Sequence, residues 1–116
     1  MSYEKNIKLL KQCADEMAIR FLSPMYLVGS YVDKHETAKD IDLLLVVTDT
    51  RFKRLFGAEE DSNHMQRVFE FRKKQKLYFE MYIQNMDIDF KVVTLDGLVA
   101  VKKKRIKLDS LMEFPE

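Results

Sequence analysis

MYLVGSYVDKHETAKDIDLLLVV, residues 25–47, holds the reading of the whole chain. Met25–Val28 is a short apolar run stopped by Gly29–Ser30, which predicts a buried strand cut off by a tight turn. Tyr31–Lys39 is polar and without clear periodicity, so a helical turn and a loop are expected there. Ile41–Val47 is the clearest strand in the protein, and its Leu and Val run implies burial on both faces. Asp40 and Asp42 nonetheless bracket Ile41 at the mouth of that strand. A two-residue period puts both carboxylates on one face.

Working outward, Ile7, Leu10, Ala14, Met17, Ala18 and Phe21 recur at helical spacing among Lys and Glu. They predict an amphipathic helix over about residues 3–21, ended by Ser23–Pro24. Residues from about 51 to 76 are polar and mixed, with Gly57–Asn63 a loop and His64–Lys76 helical. Leu77–Ile83 is aromatic and β-prone, Gln84–Asn85 can turn, and Met86–Thr94 resumes as a strand, so a hairpin is the preferred reading. The competing reading extends the preceding helix through Met81. The tail carries Leu98, Val101, Leu108, Leu111 and Met112 around Lys102–Lys107, as expected of a last helix or strand packed by one face. The expected fold is α+β, a small mixed β-sheet with flanking helices, in one domain over residues 1–116.

Twenty Lys and Arg against 19 Asp and Glu leave a net charge of +1. No global field gathers nucleic acid or a membrane surface, so nucleic acid is a disfavoured partner and a polyanion must be met locally. The longest apolar run is interrupted by Asp42 and falls far short of the roughly 20 residues that span a bilayer. The N-terminus MSYEKNIKLLKQ is charged where a secretory signal is greasy, and the single Cys13 has no internal partner and reads as a buried thiol. A cytoplasmic protein is expected.

Asp87 and Asp89 repeat the Asp-x-Asp arrangement in a second strand-like segment. If the two strands are neighbours, three or four carboxylates converge and repel one another. A divalent cation relieves that repulsion, and oxygen-only ligands favour Mg²⁺, with Mn²⁺ as the alternative, over Zn²⁺. Gly29–Ser30, nine residues ahead of Asp40, adds a turn at which a backbone can approach a phosphate closely while the serine hydroxyl donates to it.

Leu27–Val28–Gly29–Ser30, nine residues, Asp40–Ile41–Asp42–Leu43 and then Ile88–Asp89–Phe90 together resemble the signature of the nucleotidyltransferase superfamily that includes DNA polymerase beta. The resemblance covers residues 25–93. It implies a polymerase-beta palm-like core in which Asp40, Asp42 and Asp89 hold two Mg²⁺ ions and carry catalysis. Gly29 and Ser30 would grip the β- and γ-phosphates of a nucleoside triphosphate, ATP favoured. Asp87 and Glu80, the latter within Phe79–Glu80–Met81, stand as alternatives to Asp89. Many small bacterial members carry Ser-x-Ala-Arg-Gly after the glycine; here Ser30 is followed by Tyr31–Val32–Asp33–Lys34, and Lys39 or Lys34 would replace the arginine against phosphate.

The same resemblance implies transfer of AMP onto a hydroxyl of a partner protein or small molecule, because the chain has no room for an appended acceptor-selecting domain. Stand-alone members often pair with a separate helical protein, notably a HEPN-domain RNase toxin; self-association is the other way to cover apolar surface. The alternative reading is a catalytically inactive descendant that binds a nucleotide or a protein partner. His35 and His64 read as solvated, Tyr78, Phe79, Tyr82 and Phe90 as core or partner-facing aromatics, and Lys102–Lys107 as a solvated charged face.

Overall fold

The apolar stripe of the N-terminal segment does wind into a helix. In the computed structural model, which describes residues 2–101 and 104–112, α1 (Tyr3–Phe21) starts at Ser2, whose Oγ accepts the Lys5 N–H at 3.2 Å, and stops at Leu22 in the left-handed region. Leu10, Cys13, Ala14, Met17 and Ala18 are buried along it. The chain continues through β1 (Met25–Val28), a single helical turn α2 (Ser30–Asp33) and β2 (Asp40–Val47). Two helices follow, α3 (Asp49–Phe56) and α4 (His64–Glu80), then β3 (Asp87–Thr94), α5 (Leu95–Ala100) and β4 (Arg105–Lys107).

The four strands form one sheet in the order β3-β2-β1-β4. β1 runs antiparallel to β2 and β4, and β2 runs parallel to β3, with α3 and α4 supplying the long crossover that a parallel pair needs. The sheet is therefore mixed, with helices packed on both faces. Ile41, Leu43, Leu45 and Val47 of β2 join Leu27, Ile88 and Phe90 on one face, under α1 and α4. Leu44 and Val46 face the other way and pack with Val28 and Leu98 of α5. Burial on both faces is what the Leu and Val run required.

α5 is only six residues long and covers the C-terminal half of that second face. The N-terminal half of β2 carries Asp40, exposed, and Asp42, half-buried, on the same face. The sequence pattern and the topology thus agree on where polar chemistry can sit.

Four expectations need correction. The hairpin over residues 77–94 does not form: α4 runs to Glu80, and Asn85 at φ 66° makes the turn into β3. Phe71, Gln75, Phe79 and Ile83 recur every four residues, and their core contacts hold the segment helical against its β-prone composition. Residues 51–56, read as the start of a mixed polar stretch, belong to α3 (Asp49–Phe56), capped by the Thr48 hydroxyl accepting the Arg51 N–H at 3.1 Å. His64 is buried, and its Nδ1 sits 3.1 Å from the carbonyl oxygens of Phe56 and Gly57, so it donates there and ties α3 to α4. His35 is half-buried with its ring 3.9 Å from that of Tyr3. Of the run at 102–107, Lys102 and Lys103 lie outside the described residues, and Arg105 lies 5.7 Å from the Tyr26 ring centroid.

Two stability predictions arise here. Asp109 is 4% exposed and accepts the Met25 N–H at 2.8 Å and the Met112 N–H at 2.8 Å, so it ties the C-terminal segment to β1. Asp109→Ala strands the Met25 donor and should cost about 2–4 kcal/mol by urea titration; a change within about 0.5 kcal/mol would show that the tie is idle. Cys13 is buried as expected, and burial pushes its thiol up to about 11, with the Tyr78 hydroxyl partly opposing the shift. Tyr78 is also raised, first by burial and then by the hydrogen bond it donates to Glu16. A raised pKa keeps the proton on the folded state, so its contribution is complete below the unfolded value and fades as pH climbs to the folded one. Melting temperature should hold to about pH 9 and fall between pH 9 and 11. Cys13→Ala should remove the first part of that fall; an unchanged alkaline limb would exclude the thiol.

Candidate active site

β2 and β3 lie side by side in parallel with Asp40 opposite Asp87 and Asp42 opposite Asp89. Neighbouring strands are about 4.8 Å apart and side chains alternate, so all four carboxylates leave the sheet on the same face. The condition that β2 and β3 be neighbours is met, so Asp40, Asp42 and Asp89 share one face, with Asp87 beside Asp40 at the outer end. Glu80 is not among them. It ends α4, outside the sheet, with Oε1 buried and lacking a hydrogen-bond partner.

On the other side of Asp42 stands β1, whose Val28 is its register partner. The next residue, Gly29, has φ 84° and ψ −161°, a conformation open essentially to glycine alone. A Cβ at this position would overlap Asp42 Oδ2. The strand end therefore turns directly against the carboxylate, as a close approach requires. Ser30 follows, exposed, as the first residue of α2, and the Lys34 N–H bonds back to its carbonyl at 2.6 Å. Lys39 is exposed at the mouth of β2, and its carbonyl accepts the Asp87 N–H at 3.3 Å. A cavity of about 480 Å³ opens here, lined by Gly29, Asp42, Asp89, Lys91 and Val101 among others.

One part of the site was not legible in the sequence. Arg72 of α4 donates Nε to the Phe90 carbonyl at 2.8 Å and Nη2 to Asp89 Oδ1 at 3.3 Å, while Lys91 Nζ lies 3.6 Å from Asp89 Oδ2. The acidic cluster is therefore not bare: two cations offset the repulsion around Asp89. Only the tertiary packing of α4 on β3 brings Arg72 there, 17 residues ahead in the chain.

No protein-family model matches the chain, and no curated protein is significantly similar to it in sequence. Among solved structures, a "putative nucleotidyltransferase" from Sulfolobus solfataricus superposes with a TM-score of 0.54 at 21% identity, over 90% of this chain and 80% of that one. The chain has a nucleotidyltransferase fold. In this chain the order is β1, the Gly29–Ser30 turn, β2 with Asp40 and Asp42, and later β3 with Asp89.

The donor set can be weighed against a divalent cation. Among the described residues no three His, Cys, Asp or Glu side chains form a ready cage. Mg²⁺ seldom uses such a cage; it takes one or two carboxylates and completes its shell with waters and substrate phosphates. Asp42 and Asp89, adjacent hard-oxygen donors on paired strands, fit that mode. No helix of the described residues is long and apolar enough to cross a membrane.

Proposed function

We propose that this protein is a Mg²⁺-dependent nucleotidyltransferase that moves AMP from ATP onto a hydroxyl of a partner protein or small molecule. The observation that carries the reading is the parallel register of Asp42 with Asp89 next to a glycine whose Cβ position Asp42 already fills. Asp40 and Asp42 would hold the ion that travels with the triphosphate, and Asp42 with Asp89 a second one. Bound there, magnesium neutralises the phosphate oxygens and sharpens the acceptor as a nucleophile.

The chain's own residues do the rest. Gly29 lets the backbone come close to the β- and γ-phosphates, Ser30 donates its hydroxyl to them, and Lys39 supplies positive charge at the mouth of β2. Asp89 receives the acceptor proton. The acceptor oxygen bonds to the α-phosphorus, the bond from that phosphorus to the bridging oxygen of the β-phosphate breaks, and pyrophosphate departs. A hydroxyl of a small helical protein, of the HEPN type that the sequence resemblance suggests, is the protein acceptor of choice.

Incubation with α-labelled ATP, Mg²⁺ and candidate acceptors tests this. Label should pass to an acceptor with wild type and not with Asp42→Asn; no transfer with any nucleotide or acceptor would sink catalysis. A second reading, a non-catalytic module that keeps the fold to bind a nucleotide or a partner, is favoured by the hold of Arg72 and Lys91 on Asp89. Calorimetry with ATP and Mg²⁺ separates the two: metal-dependent binding that Asp40→Asn weakens supports the enzyme, and a partner module shows neither.

A further inference from the structure

Helix α4 leaves a row of large apolar side chains uncovered. Met65, Phe69, Leu77 and Met81 are 72, 66, 55 and 74% exposed. With Lys73 they form one continuous ridge of every fourth residue. Single exposed apolar residues are ordinary, but here Phe69 and Leu77 flank Lys73 on the outward side of α4, with Met65 and the C-cap Met81 wound about 80° to either side of Lys73. The middle of the helix is basic, with Arg72, Lys73, Lys74 and Lys76 close together. Phe69, Arg72, Lys73 and Lys76 also line a cavity of about 520 Å³ whose remaining wall includes Asp40, Asp87 and Asp89. Phe69 and Lys73 of the ridge therefore border the carboxylates, on the β3 side of β2 and opposite the side where β1 carries Gly29.

We propose that this ridge docks the protein acceptor: an amphipathic segment of a partner, apolar at both ends and acidic in the middle, whose hydroxyl side chain enters the cavity toward Asp89. The proposal rests on the transfer reading above and adds where the acceptor binds and what it looks like. Charge selects the occupant. A second copy related by a two-fold axis through the middle of the ridge would set Lys73, Lys74 and Lys76 against their own equivalents. A single-stranded nucleic acid would meet those cations but would leave Met65, Leu77 and Met81 uncovered. An acidic, apolar-flanked segment satisfies both parts of the surface.

The probe is a fluorescein-labelled peptide of about 18 residues with leucines at four-residue spacing near both ends, two central glutamates and one tyrosine. A second peptide carries lysines for the glutamates, and a uridine 15-mer is the third ligand. Anisotropy with the full chain should show the acidic peptide bound most tightly. Phe69→Ser/Met81→Ser and Lys73→Glu/Lys76→Glu should each weaken it by roughly tenfold or more, and the lysine peptide should recover binding to the latter. Failure of the acidic peptide to bind, equal binding of both peptides to wild type, tighter binding of the oligonucleotide through the same residues, or a dimer that Phe69→Ser/Met81→Ser dissolves would overturn the proposal. Calorimetry of Mg²⁺–ATP on wild type is the independent arm. If Mg²⁺–ATP binds and the peptide does not, the docking surface alone falls; if Mg²⁺–ATP does not bind, the transfer reading falls with it.

Discussion

Asp42→Asn should lower AMP transfer by about 10³-fold or more while moving folding stability by no more than about 1 kcal/mol. Asp42 lies between the other two parts of the site, opposite Asp89 on one side and Val28–Gly29 on the other. A carboxylate that neutralises transition-state charge through a metal contributes several kcal/mol, and each 1.36 kcal/mol is a factor of ten in rate. Asparagine keeps the shape and hydrogen-bonding capacity of this half-exposed side chain and removes one charge beside Asp89, so the fold loses little by the change. Single-turnover rates and melting curves, taken with and without Mg²⁺, measure both quantities. Loss of fold and activity together would make Asp42 a structural residue; an unchanged rate would remove it from the chemistry.

Gly29→Ala should be the more disruptive change, costing about 2–4 kcal/mol and abolishing nucleotide binding. Two independent penalties meet there. The backbone conformation, φ 84° and ψ −161°, costs a non-glycine residue on the order of 1–3 kcal/mol. The new methyl must also displace the Asp42 carboxylate it overlaps. Gly57→Ala is the matched control, since Gly57 also has positive φ, 78°, but ends α3, where a methyl would meet Arg67 and Asp61 rather than Asp42. It should lose stability and keep Mg²⁺–ATP binding. Equal binding loss in the two variants would mean that unfolding, not the site, explains the result.

The site was legible in the sequence to the extent that local rules determine it. A two-residue period fixes the shared face of Asp40 with Asp42 and of Asp87 with Asp89, and the pairing of β2 with β3 in register then joins them. Gly29 was legible too, because an apolar run ending at glycine beside a polar turn has few structural readings. What escaped depended on contacts between distant segments. The 77–83 segment has a β-prone composition, yet Phe79 and Ile83 become core residues only when α4 lies across the sheet. His64 looked solvated because its partners, the Phe56 and Gly57 carbonyls, exist only once α3 has formed and ended. The Arg72 hold on Asp89 belongs to the same class. It also changes the electrostatics, because an ion that binds Asp89 must share it with a guanidinium and an ammonium.

Mn²⁺ held by the protein is counted by ultrafiltration as the metal retained with the chain in excess of that in the filtrate, where free and ATP-bound ions appear alike, and a titration with and without ATP reports on the paired carboxylates. Wild type should take up Mn²⁺ in an ATP-dependent manner, and Asp42→Asn should leave the ion in solution at the same concentrations. Uptake that is identical in the two proteins, or no uptake by wild type when ATP is saturating, would contradict the assignment of Asp42 and Asp89 as a metal-dependent nucleotide site.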